Sequence, residues 1–181
     1  MRTASLVALS SLLLLTTGCP EDGGIGPFLT NGAEMPERDP DTEWDGNLSD
    51  GSIIDIDWAS SGAFGCYPGT ENVNFTGNHV FVDEAIGEDM GDFHVRVNPS
   101  DPTVDVSLYA IKVGTSTTDY PPDLASAIAC DTSFDRENNG NPGVSEAATV
   151  QAGNAYRIIV GVAGANDQTS GAYDVEVWYG D

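Results

Sequence analysis

Between Asp135 and Glu146 the chain reads Asp-Arg-Glu-Asn-Asn-Gly-Asn-Pro-Gly-Val-Ser-Glu. Carboxylate or amide oxygens stand at the first, third, fifth and twelfth positions, on Asp135, Glu137, Asn139 and Glu146, and the seventh offers the Asn141 carbonyl. That is the spacing with which a twelve-residue loop wraps a hard divalent cation, and Gly140 sits where the loop must turn sharply. Glu137 is longer than the usual Asp or Asn, and Pro142 replaces the usual apolar residue. Calcium is the cofactor this loop would take; the competing reading is an acidic, Asn/Gly-rich connection between strands. Two histidines, His79 and His94, both fall in stretches of strand-like alternation with no nucleophile placed beside them. The sequence holds no GxSxG, HExxH or P-loop pattern. Its adjacent carboxylate pairs, Asp83-Glu84 and Glu88-Asp89, are not thereby placed across a cleft as glycoside hydrolysis requires. The expectation is a protein that is not an enzyme.

Three cysteines remain to be explained. Cys19 closes an N-terminal stretch with a positive start at Arg2 and an apolar core, Leu6-Val7-Ala8-Leu9 and Leu12-Leu13-Leu14-Leu15, too short for a membrane span. The sequence Leu15-Thr-Thr-Gly18-Cys19 resembles a bacterial lipobox, although Thr16 stands three residues before the cysteine where that family usually has Leu. The resemblance implies cleavage before Cys19 and a diacylglyceryl group on its thiol; several acyl chains anchor stably where one does not. Pro20 follows, not the Asp of an inner-membrane retention signal, so the resemblance favours the outer membrane of a Gram-negative cell. With Cys19 lipidated, Cys66 and Cys130 form an even pair in an oxidising compartment and are expected to be bonded, with Cα atoms about 4.4–6.8 Å apart.

Charge narrows the partners. Twenty-nine carboxylates face six Lys and Arg, a formal net charge of −23. Phosphate backbones need a basic patch, so nucleic acid is excluded as a partner, and anionic headgroups are disfavoured. Acidic charge also simply keeps an exported protein soluble.

The elements that must position these groups begin after a tether. Residues 1–18 read as signal peptide. Residues 19–51 read as a lipid-anchored acidic linker: Pro20, Pro27, Pro36 and Pro40 alternate with glycines, and apolar residues are sparse and without period. About 30 such residues span on the order of 30 Å. From 52 to 181 period two takes over. Ile54, Ile56 and Trp58 alternate with Asp55 and Asp57; Phe93, Val95 and Val97 share a face opposite His94 and Arg96. Similar runs cover His79–Val82, Val104–Ala110, Tyr156–Val162 and Tyr173–Tyr179, with Gly, Asn, Pro and Asp clustered between them. One helical turn fits within Asp123–Cys130. The pattern predicts an all-β domain, an antiparallel β-sandwich of jelly-roll type.

Within it, Asp105-Val-Ser-Leu-Tyr109, Tyr156-Arg-Ile-Ile-Val160 and Ser170-Gly-Ala-Tyr173-Asp-Val-Glu-Val177 resemble the pre-peptidase C-terminal domain, over residues 77 to 179. That family's alternating aspartates before the first aromatic strand are missing; Gly77-Asn78-His79-Val80-Phe81 stands there. The resemblance implies a sandwich appended to secreted peptidases, some members of which bind calcium or polymers; it supports a fold, not a ligand. The functional expectation is a non-enzymatic cell-surface lipoprotein, held to the membrane by its lipid and presenting a β-sandwich that serves as an interaction or envelope-structural module. The alternatives are a calcium-stabilised accessory domain that binds a protein or polysaccharide, with Tyr109, Tyr120, Trp178 and Tyr179 as candidate contacts, and a hydrolase whose site has no recognisable motif.

Overall fold

A computed structural model describes residues 42–86, 91–134, 142–151 and 155–180. Eight strands follow one another: β1 (Thr42–Asn47), β2 (His79–Ile86), β3 (Asp92–Pro99), β4 (Val106–Val113), β5 (Ala129–Ser133), β6 (Glu146–Val150), β7 (Tyr156–Gly164) and β8 (Ala172–Gly180). Every pairing is antiparallel: β1 with β8, β2 with β7, β3 with β6 and β4 with β5. This is one long hairpin of four strand pairs. Two further pairings, β3 with β8 and β4 with β7, roll it into two sheets, ordered β1-β8-β3-β6 and β2-β7-β4-β5. The result is a jelly roll, as the alternation predicted.

The two sheets bury their facing rows against each other. Phe93, Val95 and Val97 of β3 and Val175 and Val177 of β8 meet Leu108, Ile158 and Val160 from the other sheet. The sheet containing β7 has a second apolar face as well. Phe81, Tyr109, Ile111 and Ile159 point outward from it and are roofed by the β1–β2 connection and by the segment after β4, through Trp58, Tyr67, Phe75 and Leu124. Hence all nine residues of β7 are buried, and its apolar run from Ile158 to Ala163 reads as a strand covered on both faces. Gly161 lies against two of these rings; a Cβ there would stand 2.6 Å from Phe81 and 2.9 Å from Tyr109.

Three sequence expectations shift. Ile54, Ile56 and Trp58 alternate but do not form a strand; Ser52 makes one isolated bridge to His79, and the segment then becomes roof. Alternation is satisfied by packing onto a sheet face as well as by joining a sheet. The acidic stretch read as linker to residue 51 contains β1, whose six residues pair with β8 from Ala172 to Val177, so Thr42–Asn47 belongs to the sandwich. The expected helical turn near Asp123–Cys130 reduces to a bond from the Leu124 amide to the Tyr120 carbonyl (2.9 Å), and the stretch ends in β5.

The roof is fastened at several points. Cys66, in the roof, is disulfide-bonded to Cys130 in β5, with Cα atoms 5.0 Å apart, as expected. His79 begins β2, is 0% exposed, and its Nε2 lies 2.9 Å from the Phe75 carbonyl. A carbonyl can only accept, so Nε2 carries the proton. Arg157 donates to Asp83 at 2.6 Å and to the Thr117 and Asp119 carbonyls, and its guanidinium covers the Tyr120 ring. Tyr120 donates its hydroxyl to Asp83, and burial pushes the phenol pKa up to about 12.

Candidate interaction face

With one sheet roofed, the outer face of the β1-β8-β3-β6 sheet is the sheet surface that the described residues leave open to solvent. Strand alternation decides what it displays. The buried residues of β3 are Phe93, Val95 and Val97, so His94, Arg96 and Asn98 point out. On β8 the outward residues are Asp174, Glu176 and Trp178; on β1, Glu43 and Asp45; on β6, Ala147 and Thr149. Register then forms rows across the sheet. One row is Glu43, Glu176, Arg96, Ala147; the next is Asp45, Asp174, Asn98. A further row holds Trp178, His94 and Thr149.

Arg96 lies 3.2 Å from Glu176, and its guanidinium carbon stands 5.2 Å from the Trp178 ring centre. The His94 ring stacks on Trp178, 5.2 Å between centres and 7° from parallel, and Nδ1 is 2.9 Å from the Thr149 hydroxyl. Asn98 donates to both Asp174 (2.7 Å) and Glu176 (2.9 Å). Glu43 and Asp45 are exposed, and no hydrogen bond or ion pair reaches either from the described residues. They stand directly across the ladder from Glu176 and Asp174, two like-charge pairs in succession. Opposed like charges destabilise a sheet. Glu43, Arg96, Glu176 and Trp178 line an open depression of about 300 Å³. A second hollow, about 430 Å³, lies where β5 and β6 meet and includes Lys112, Asp131 and Thr149. There the Asp131 carboxylate accepts the Thr149 amide at 2.8 Å, tying the edges of the two sheets together.

The residues singled out from sequence fall in different places. Cys19 lies outside the described residues, as do Asp135, Glu137, Asn139 and Asn141. Glu146 opens β6, is 6% exposed, and accepts a hydrogen bond from the Ser133 hydroxyl. Among the described residues no three His, Cys, Asp or Glu side chains group as metal ligands. Of the candidate aromatic contacts, Tyr109 (0% exposed) and Tyr120 (8%) are core residues and cannot meet a ligand. Tyr179 packs edge-on against Phe93, which leaves Trp178 on the open face. His79 belongs to the roof and His94 to the face. The sequence does not display the carboxylate rows: Asp174 and Glu176 read as the polar half of an alternating strand and Glu43 and Asp45 as part of an acidic linker, and only register sets one opposite another.

No family model matches the chain, and no curated protein does. Among solved structures, CorA, described as a surface-associated copper-binding protein important in copper acquisition by Methylomicrobium album BG8, aligns with 87% of this chain and 100% of its own at 11% identity and a TM-score of 0.46. Among the described residues no helix is long and apolar enough to cross a membrane.

Proposed function

We propose that this chain is a non-enzymatic, lipid-anchored protein of the cell envelope whose jelly roll is an interaction module working through the outer face of the β1-β8-β3-β6 sheet. The observation that carries this reading is the asymmetry of the sandwich. One sheet is closed by a disulfide-bonded aromatic roof, while the other presents rows of oriented polar side chains around Trp178. The anchor rests on Gly18-Cys19 and the apolar stretch before it. The hydrolase reading is weaker. Glu43 and Glu176 face one depression, but they sit side by side on an open sheet, with Glu176 already held by Arg96 and Asn98, rather than flanking a cleft that would hold a scissile bond.

The test is site-specific photocrosslinking in cells producing the full chain, with p-benzoylphenylalanine at Ala147 on the open face or at Thr70 on the roof. A discrete adduct from Ala147 and none from Thr70 is expected. Absence of an adduct from Ala147, or equal adducts from both sites, removes the open face as an interaction surface.

A further inference from the structure

The open face also narrows what docks there, provided it is the interaction surface argued above. Four kinds of occupant can be weighed against its charge. A second copy of the chain brings −23 to a face that is itself acidic. The segment 20–41 carries Glu21, Asp22, Glu34, Glu37, Asp39 and Asp41 against Arg38 alone, so the chain's own tether is repelled. A neutral glycan needs a free aromatic face to stack on; one face of Trp178 is taken by the His94 ring, and the Arg96 guanidinium lies against the ring as well. A basic segment meets no such objection. Its cations would relieve the two opposed pairs, Glu43 with Glu176 and Asp45 with Asp174, which the fold itself leaves with one guanidinium and one neutral amide between them.

We propose that the partner is an extended, Arg- or Lys-bearing polypeptide segment lying along β1 and β8, with successive cations seated on the Glu43–Glu176 and Asp45–Asp174 rows beside Trp178. The spacing is specific. The two rows are two residues apart along each strand, about 6.8 Å, which is also the distance between alternate side chains of an extended peptide. A guanidinium already occupies the equivalent position one strand over, where Arg96 rests between Glu176 and Trp178. The partner's cation would do the same between Glu43 and Glu176, in the depression these residues line. Complementary charge of this kind speeds association and selects partner and register.

The experiment uses the full chain and a fluorescein-labelled octapeptide of alternating Arg and Ser, with binding read by anisotropy at low and moderate salt. Glu43→Gln/Asp45→Asn is compared with Asp119→Asn/Asp123→Asn, the same charge change on the far side of the sandwich, and melting curves check that both variants are folded. Affinity at least tenfold weaker in the first variant and less than twofold weaker in the second is expected. Equal losses would reduce the attraction to the diffuse field of a −23 chain and overturn the proposal, as would absence of binding to the unmodified chain. The crosslinking assay separates the two readings. An Ala147 adduct that persists unchanged in Glu43→Gln/Asp45→Asn keeps the face and rejects the basic partner; no adduct in either background rejects the face itself.

Discussion

His79 makes the stability of the roof depend on pH in a way that can be worked through. The ring is 0% exposed, its Nε2 proton is donated to the Phe75 carbonyl, and Nδ1 has no hydrogen-bond partner among the described residues. It packs against the rings of Phe81 and Tyr109, 5.8 Å from each. The phenols nearby, Tyr109 and Tyr67, are pushed above their ordinary range by burial and stay neutral in acid. Among the described residues the Phe75 carbonyl alone would accept from an imidazolium, and burial, opposed by that bond, lowers the His79 pKa from 6.5 to about 4. Between those values the unfolded chain binds a proton that the folded chain does not, so stability falls as pH falls. It is fully present above pH 6.5, and about 3 kcal/mol is lost as pH approaches 4. For a domain of this size that lowers the melting temperature by about 10 °C. Titrating carboxylates contribute their own pH dependence, so the measurement is a difference: thermal unfolding from pH 7.5 to pH 4 for the unmodified chain and for His79→Gln. Glutamine keeps an amide donor for the Phe75 carbonyl but cannot titrate. The variant starts less stable and should lose about 3 kcal/mol less on acidification. Parallel pH profiles for the two proteins would refute the assignment of the proton to His79.

The remaining expectations concern the fastenings and the face. Replacing Cys66 and Cys130 by Ala opens a loop of 64 residues and should cost about 4 kcal/mol by chain entropy, seen as a lower melting temperature that added reductant no longer changes. Arg157→Ala leaves Asp83 as an uncompensated, mostly buried charge and should cost about 3 kcal/mol in urea unfolding, whereas Asp83→Leu with Arg157→Met should recover most of that loss. Glu43→Gln removes one opposed like-charge pair and should raise stability by about 0.5 kcal/mol at low salt, with the gain fading at high salt; no gain would mean the carboxylates are already screened. Cys19→Ser should move the protein from the membrane to the soluble fraction, and an unchanged distribution would remove the lipid anchor.

Much of the sandwich is legible along the chain because a strand with one buried face imposes period two on its side chains. β3 and β8 show this cleanly: Phe93, Val95, Val97 and Tyr173, Val175, Val177 are buried while their neighbours point out. The cysteine pair is legible too, since compartment and parity leave one pairing. β1, β5 and β6 are not. They are edge strands, short or rich in Asp, Glu, Thr, Ser and Ala, because an edge must resist further pairing and has less apolar surface to cover. The run Ile54-Asp-Ile-Asp-Trp58 misleads for the converse reason: an alternating segment laid across the Phe81, Tyr109 and Ile159 face buries the same side chains without becoming a strand. The candidate face lies furthest beyond local reading. The sequence alone determines that Glu43, Asp45, Asp174 and Glu176 are acidic, that strand alternation turns Asp174 and Glu176 outward, and that the chain as a whole repels anions. Only the rolled hairpin, joining β1 to β8 across more than a hundred residues, sets those acids opposite each other beside Trp178, because side-chain pairing across a sheet is decided by register between distant segments and not by any pattern within one.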